Sequence, residues 1–204
     1  TLVLGGGEVR LLDMASAYGV FASGGIRHNP TPILSIMDSK GTVLEETNPE
    51  DAGIEILPKQ TALQITDILT DNNARQPAFS ANSALVVPGH DVAAKTGTTN
   101  DYKDAWIMGY TPSLVVGAWA GNNDNTPMVK KVSSLLIAPT WNEFMKTVLA
   151  GLPNEPFEEP TKDPSYNSLK PVLRGVWQSG EGYTIDTVSG KLATAETPEQ
   201  TRKE

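Results

Sequence analysis

Apolar positions in the first part of the chain predict two helices with a hairpin between them. Side chains at helical spacing predict a first helix over residues 8–23, and the glycine pair that follows provides a left-handed end. Short apolar runs at 33–36 and 42–44 flank a glycine-containing turn, which predicts a β-hairpin. A second helix is predicted over residues 58–69, because proline favours a first helical turn and apolar residues recur behind it.

The middle of the chain has the most strand-like pattern. β-favouring residues predict strands over residues 92–98, 105–110 and 114–121, and the last two are joined as an antiparallel hairpin. A helix over residues 139–150 follows, with one apolar face that is expected to pack on the sheet. Residues 74–89 are predicted to form an irregular surface loop.

The character of the sequence changes after residue 152. Residues 153–204 are rich in proline and acidic side chains, and we interpret them as a tail that follows a folded portion at residues 1–152. Within this tail, residues 183–186 and 191–193 are candidates for a last hairpin. Residues 199–204 are expected to be frayed.

Charge and residue usage argue against several classes of function. A net charge of -8 and a pI near 4.8 argue against nucleic acid as a partner, because phosphate binding needs a basic surface. The chain has no cysteine, and its two histidines, His28 and His90, each lie beside turn-forming residues, so we expect neither a metal site nor a cofactor. No apolar run is long enough to cross a bilayer, so any membrane anchor is expected outside this chain.

One short string carries the candidate chemistry, Lys95-Thr96-Gly97-Thr98-Thr99. An exposed strand edge can bind an extended peptide through its backbone, and Gly97 lets a ligand backbone approach closely. The Thr96 and Thr98 hydroxyls lie on one face of the strand and suit a carboxylate. Lys95 adds a positive charge but points to the opposite face. Taken alone, the string is explained more simply as a strand end with a solvated lysine.

The surrounding sequence makes this signal specific. Residues 95–106 resemble the third-motif region of the transpeptidase domain of class A penicillin-binding proteins, a group in which Lys-Thr-Gly is a signature. The resemblance covers most of residues 1–152 well and the tail loosely. The other segments that carry it are residues 4–5, 8–9, 15–18, 21–25, 109–112, 116–122, 138–141, 144–145, 185–186 and 189–193.

The resemblance implies an α+β fold of the β-lactamase-like type, an antiparallel five-stranded sheet flanked by helices, of which this chain supplies a part. It implies a D,D-transpeptidase that cross-links peptidoglycan stem peptides by serine acyl transfer. By the same resemblance, Lys95 and the Thr98 N–H of the oxyanion hole are catalytic, and Thr96, Gly97, Thr98 and Thr99 bind substrate. The implied partners are stem peptides ending in D-alanyl-D-alanine, β-lactams and the other half of the domain.

Two motifs of that family are missing from this sequence. No lysine has a serine three residues before it, so the nucleophilic Ser-x-x-Lys is absent. Ser-x-Asn begins at Ser80 and at Ser165, but Ser80 is too close to Lys95 and Ser165 follows it, so we interpret both as chance. We therefore expect the chain alone to be inactive. The uncapped start at residues 1–7 favours a fragment cut within the domain.

Two other functions stay open from the sequence. One is a non-catalytic peptidoglycan-binding or scaffold module, and the other is a serine β-lactamase or β-lactam sensor, which would share the fold and the third motif. The context at residues 109–112 and 138–139 resembles class A synthases more closely. Because the family's substrate lies outside the cytoplasmic membrane, the resemblance implies an extracytoplasmic location, periplasmic or on the outer membrane face.

Overall fold

The structure, a computed structural model, describes residues 6–47, 53–162, 164–168, 185–188, 193–195 and 197–203. The chain forms two compact units, Thr1–Pro160 and Thr161–Glu204. The helices and strands of the first unit are, in chain order, α1 (Leu11–Ala22), β1 (Ile26–Arg27), β2 (Ser35–Met37), β3 (Val43–Glu46), β4 (Ile54–Glu55), α2 (Lys59–Thr70), α3 (Asn72–Phe79), β5 (Ala93–Thr98), β6 (Asp104–Tyr110), β7 (Val115–Gly121), α4 (Ser133–Leu136) and α5 (Ala138–Leu149). Within the described ranges, none of the helices is long and apolar enough to cross a membrane.

A three-stranded antiparallel sheet, in the order β5-β6-β7, forms the centre of the first unit. Two outlying pairs of short strands, β1 with β4 and β2 with β3, accompany it. The predicted strands, the hairpin between the last two, and the hairpin now seen as β2 and β3 are all confirmed, with ends shifted by a residue or two. The α+β class with helices flanking an antiparallel sheet is also confirmed.

Helices cover both faces of the central sheet. On one face, Trp141 and Met145 of α5 pack into a core with Ala94 and Ile107 of the sheet. The Trp141 indole N–H also donates a hydrogen bond to the Val116 carbonyl at 3.0 Å, so the helix is fixed by a polar contact as well as by apolar burial. The predicted apolar face of this helix is therefore confirmed.

Tyr110 organises the opposite face of the sheet. Its ring meets Tyr18 of α1 edge to face, with ring centroids 6.2 Å apart, and Phe157 in the same manner at 5.7 Å. Its hydroxyl hydrogen-bonds to the Thr66 hydroxyl of α2 at 2.9 Å. Since Tyr110 is fully buried, this hydrogen bond satisfies a phenol that would otherwise be stranded in the core.

The end of α1 follows the sequence prediction. Gly24 and Gly25 have φ angles of 64° and 103°, and the Gly25 N–H donates to the Val20 carbonyl at 2.7 Å. A Cβ at Gly25 would also run into the Leu57 carbonyl, so this position needs glycine for space as well as for conformation.

The prediction of an irregular loop over residues 74–89 is wrong in its first part, where α3 spans Asn72–Phe79. Asp71 explains the error, because its side chain accepts a hydrogen bond from the Ala74 N–H at 2.8 Å and so starts a new helix at the point where α2 ends. Pro77 lies inside this helix, which ends at Ser80 with a φ of 65°. The sequence contained the cap, but the proline favoured a loop.

The prediction for the last hairpin is wrong in its pairing. In the second unit, strand β8 (Ile185–Asp186) pairs with β9 (Arg202–Lys203) and not with residues 191–193, of which 191 and 192 lie outside the described residues. The Arg202 guanidinium holds this arrangement by donating to the carbonyls of Thr194, Ala195 and Thr197 at 2.9–3.2 Å. The expected fraying from residue 199 is also wrong, since Glu199–Thr201 is a 3-10 helix that leads into β9.

Replacing Gly109 by alanine is expected to destabilise the first unit by about 2 kcal/mol. The new Cβ would lie 2.9 Å from Trp141 Cη2 and 3.0 Å from the Ala93 carbonyl oxygen, and Trp141 is too deeply buried to move aside. Urea unfolding followed by tryptophan fluorescence measures this. Gly97→Ala is the matched control, because its Cβ would meet only Trp106 Cβ at 3.5 Å, an ordinary contact. Equal unfolding free energies for the two variants would contradict this packing of α5 on the sheet.

The unfolding free energy is expected to fall as the pH rises from about 10 to about 12. Burial raises the pKa of Tyr110 to about 12, with the hydrogen bond from Thr66 opposing the rise and Tyr18 adding to it. Above pH ~10 the unfolded tyrosine loses its proton while the folded one keeps it, so folding loses up to roughly 2 kcal/mol. Urea unfolding at a series of pH values measures the slope. Tyr110→Phe should flatten it, and an unchanged slope in that variant would count against a buried Tyr110.

Candidate functional site

The predicted site string lies at the end of β5, on an edge of the central sheet. Among the described residues β5 pairs only with β6, so its other edge is open. The Thr99 N–H donates to the Asp104 carbonyl at 3.1 Å, toward β6. Because backbone groups alternate between the two edges of a strand, the Thr98 N–H and C=O are directed to the open edge. The strand therefore presents a backbone donor where the sequence placed the oxyanion hole.

Lys95 and Thr96 meet at the same open edge. The exposed Lys95 ammonium donates to the Thr96 carbonyl at 2.7 Å, so it reaches around the strand margin although its side chain leaves from the face opposite Thr96. This places a positive charge beside the backbone groups of the edge. Gly97 has open space on its own face apart from Trp106, so a ligand backbone can approach there.

A buried serine that the sequence reasoning missed, Ser133 at the start of α4, anchors the end of the strand. Its side chain is fully buried, and its hydroxyl contacts the Gly97 carbonyl, the Thr98 hydroxyl at 2.8 Å and the Trp106 N–H at 3.2 Å. The Ser133 N–H in turn donates to the Thr98 hydroxyl oxygen at 3.0 Å. No local sequence signal marks this residue, because its partners lie 27 to 36 positions away.

The direction of each proton in this network follows from the partners. A carbonyl can only accept, so the single Ser133 hydroxyl proton goes to the Gly97 carbonyl. The Thr98 hydroxyl must then donate to Ser133 Oγ, which also accepts from Trp106 N–H. Thr98 thus has its hydroxyl proton committed inside the protein, which leaves Thr96 as the hydroxyl with no hydrogen-bond partner among the described residues of this face.

The turn after the strand is closed by Asp104. The Thr99 hydroxyl donates to Asp104 Oδ2 at 2.9 Å and accepts from the Asp104 N–H at 2.8 Å. The Trp119 indole N–H donates to Asp104 Oδ1 at 2.9 Å, which links the turn to β7. Asp101 and Tyr102 have positive φ angles of 61° and 58°, a cost that these hydrogen bonds offset. Thr99 therefore fixes the turn, and its hydroxyl is not free for a ligand.

The two Ser-x-Asn strings lie apart from this arrangement in the chain's organisation. Ser80 ends α3, and Ser165 lies in the 3-10 helix Pro164–Ser168 of the other compact unit. Across the described ranges, no group of three or more acidic, histidine or cysteine side chains is placed to hold a metal ion. The chemistry of the site rests on the strand edge, the Lys95 charge and the Thr96 hydroxyl.

Comparison with known protein families matches residues 5–146 to the penicillin-binding protein transpeptidase domain. Among curated relatives, penicillin-binding protein 1A of Aquifex aeolicus is 39% identical over 164 residues, covering 80% of this chain and 22% of that protein. Penicillin-binding protein 1A of Mycolicibacterium smegmatis is 36% identical over 177 residues, covering 81% of this chain and 22% of that protein. The chain thus spans about a fifth of the length of these relatives.

Solved structures agree with this match. The penicillin-binding protein PonA1 of Mycobacterium tuberculosis aligns with a TM-score of 0.70 and 33% identity, over 79% of this chain and 43% of that one. Penicillin-binding protein 1A of Haemophilus influenzae aligns with a TM-score of 0.68 over 97% of this chain and 32% of that one. At 23% identity, the second likeness speaks for the fold alone.

Replacing Ser133 by alanine is expected to lower the unfolding free energy by about 2 to 3 kcal/mol, because buried donors and acceptors on Gly97, Thr98 and Trp106 lose a partner. Urea unfolding measures the loss. Ser134→Ala is the matched control, since the Ser134 hydroxyl makes no hydrogen bond within the described part of the chain. Equal stability of the two variants would contradict the role given to Ser133.

Proposed function

The chain belongs to the penicillin-binding protein transpeptidase family, and from that premise we propose that it is the substrate-carboxylate half of a peptidoglycan D,D-transpeptidase domain. The observation that carries the proposal is the open edge of β5, where a backbone N–H, a lysine and an unpaired threonine hydroxyl converge. An extended acyl-D-alanyl-D-alanine peptide adds to such an edge through its own backbone.

Each site residue has a distinct role in this proposal. The Thr96 hydroxyl donates to the terminal carboxylate of the stem peptide, and the Lys95 charge favours that anion at the edge. Gly97 admits the peptide backbone, and Ser133 holds Thr98 through its hydroxyl so that the Thr98 N–H stays directed at the reacting carbonyl. When a serine attacks this carbonyl and the terminal D-alanine leaves, the Thr98 N–H stabilises the negative charge that develops on oxygen.

The serine has to come from outside this chain, because the sequence holds no Ser-x-x-Lys. Oxyanion stabilisation and substrate positioning cannot by themselves form an acyl-enzyme. We propose that the partner is the half of the domain that carries the serine, that the two work on the extracytoplasmic side of the membrane, and that β-lactams bind the same edge. The division into residues 1–152 and a tail at 153–204 likewise stays a prediction.

A non-catalytic peptidoglycan-binding module is the second candidate, and the complete carboxylate half beside an absent nucleophile is the observation that favours it. The two functions differ in whether acylation appears once a nucleophile is supplied. A binding module would hold a stem peptide without ever forming a covalent bond to a β-lactam.

Fluorescent penicillin is expected to leave no covalent label on this chain alone and to label a mixture with a chain that carries the Ser-x-x-Lys and Ser-x-Asn segments of the family. The reason is that acylation needs the serine, while this chain supplies the oxyanion and carboxylate contacts. The measurement is in-gel fluorescence after denaturation. Labelling of this chain by itself would refute the proposed division of the site, and a stable but unlabelled mixture would favour the binding module.

Two variants sharpen this test. Thr96→Val removes a hydroxyl that has no partner in the described structure, so the fold is kept while labelling of the mixture slows by about tenfold. Ser134→Ala removes an equally unpartnered hydroxyl away from the edge and is expected to label at the parent rate. Equal labelling rates for both variants would count against Thr96 as the carboxylate ligand.

A further inference from the structure

A second pocket lies at the opposite end of β5 from the candidate site. It is a cavity of about 200 Å³, bounded by α2, α3 and the segment that leads into β5. Its apolar wall comes from Leu85, Val87 and Val92, all buried, and polar groups of Asn72 and Arg75 converge on it. Small-molecule sites typically combine an apolar wall with a few convergent polar groups.

Arg75 brings an uncompensated positive charge to this pocket. The guanidinium is half-buried and donates to the Leu69 carbonyl, and within the described part of the chain no carboxylate lies at ion-pair distance. Burial lowers the pKa of Arg75, with Asp71 opposing the change, which reflects the cost of holding this cation away from water. A buried charge is normally paired, so an anion bound here would remove that cost.

Asn72 brings a buried acceptor without a partner. Its Oδ1 is shielded from solvent and accepts no hydrogen bond in the described structure, whereas its Nδ2 donates to the Ala81 carbonyl at 3.2 Å. That donation fixes the orientation of the amide, because a carbonyl cannot be the partner of an oxygen. Asn72 and Arg75 are three residues apart on α3 and so lie on the same side of the helix.

Asp91 narrows the class of ligand. It lines the same pocket, and its carboxylate accepts from the Asn154 amide at 3.0 Å without pairing with Arg75. A bare anion such as phosphate would meet repulsion from Asp91, and it has no proton to offer Asn72 Oδ1. A molecule with a carboxylate at one end and an N–H next to it satisfies both Arg75 and Asn72.

We propose that this pocket binds an N-acylated α-amino acid, either free or as the C-terminal residue of a peptide. The carboxylate pairs with Arg75, the amide N–H donates to Asn72 Oδ1, and a small apolar side chain packs on Val87 and Val92. Val92 precedes Thr96 by about 13 Å along the strand, at ~3.3 Å per residue, so the site is separate from the candidate catalytic edge and does not depend on the proposed function.

Titration of the ¹⁵N-labelled chain with three probes, followed by NMR, tests the ligand class. N-acetyl-L-alanine is expected to shift the amide signals of residues 85–92 and the Arg75 side-chain signal, and to leave those of residues 95–98 in place. N-acetyl-L-alanine amide lacks the carboxylate and propionate lacks the N–H, so each is expected to bind about tenfold more weakly. An acetylated tetrapeptide ending in alanine separates the two sources, since tighter binding than N-acetyl-L-alanine identifies a peptide end.

Variants test the residues. Arg75→Gln is expected to weaken N-acetyl-L-alanine binding about tenfold, while Arg10→Gln, which removes an exposed arginine paired with Asp13, leaves it unchanged. Circular dichroism melting verifies that each variant is folded, and the three probes on the parent chain remain decisive if Arg75→Gln unfolds. Equal affinity of the three probes, or parent-like binding by folded Arg75→Gln, would overturn the proposal.

Discussion

The pairing of β5 with β6 is the constraint on which the rest of the first unit depends. It commits one edge of β5 to the sheet, which directs the Thr98 N–H to the other edge. It also fixes which side chains share a face, so that Ala94 and Ile107 meet α5 while Tyr110 meets α1 and α2. The candidate site is thus the part of the strand that the sheet leaves unused.

Ser133 extends that constraint beyond the sheet. A strand end is normally free to fray, but here one buried hydroxyl holds Gly97, Thr98 and Trp106 together. The polar groups it joins have no other way to avoid water-free burial, so the network is structural and functional at once. Threonines that look equivalent in the sequence are divided by it: Thr98 and Thr99 hold the protein together, and Thr96 faces the ligand.

The two ends of β5 differ in physical character. The carboxyl end is an exposed edge, where backbone groups and a mobile lysine recognise an extended chain. The amino end is an apolar pocket with a half-buried arginine and a buried amide oxygen, which suits a small, compact molecule. The same strand therefore offers one surface for a polymer and one cavity for a single residue.

The sequence by itself determined the fold class, the three central strands, the glycine end of α1 and the family, because these depend on local periodicity and on a contiguous string around Lys95. It misplaced α3, where a cap by Asp71 prevailed over Pro77, and it mispaired β8, whose partner is chosen by contacts of Arg202. Only the tertiary structure revealed Ser133 and the pocket of Asn72 and Arg75. Their partners are brought together by packing across distant parts of the chain or by the absence of an expected partner, and neither leaves a pattern along the sequence.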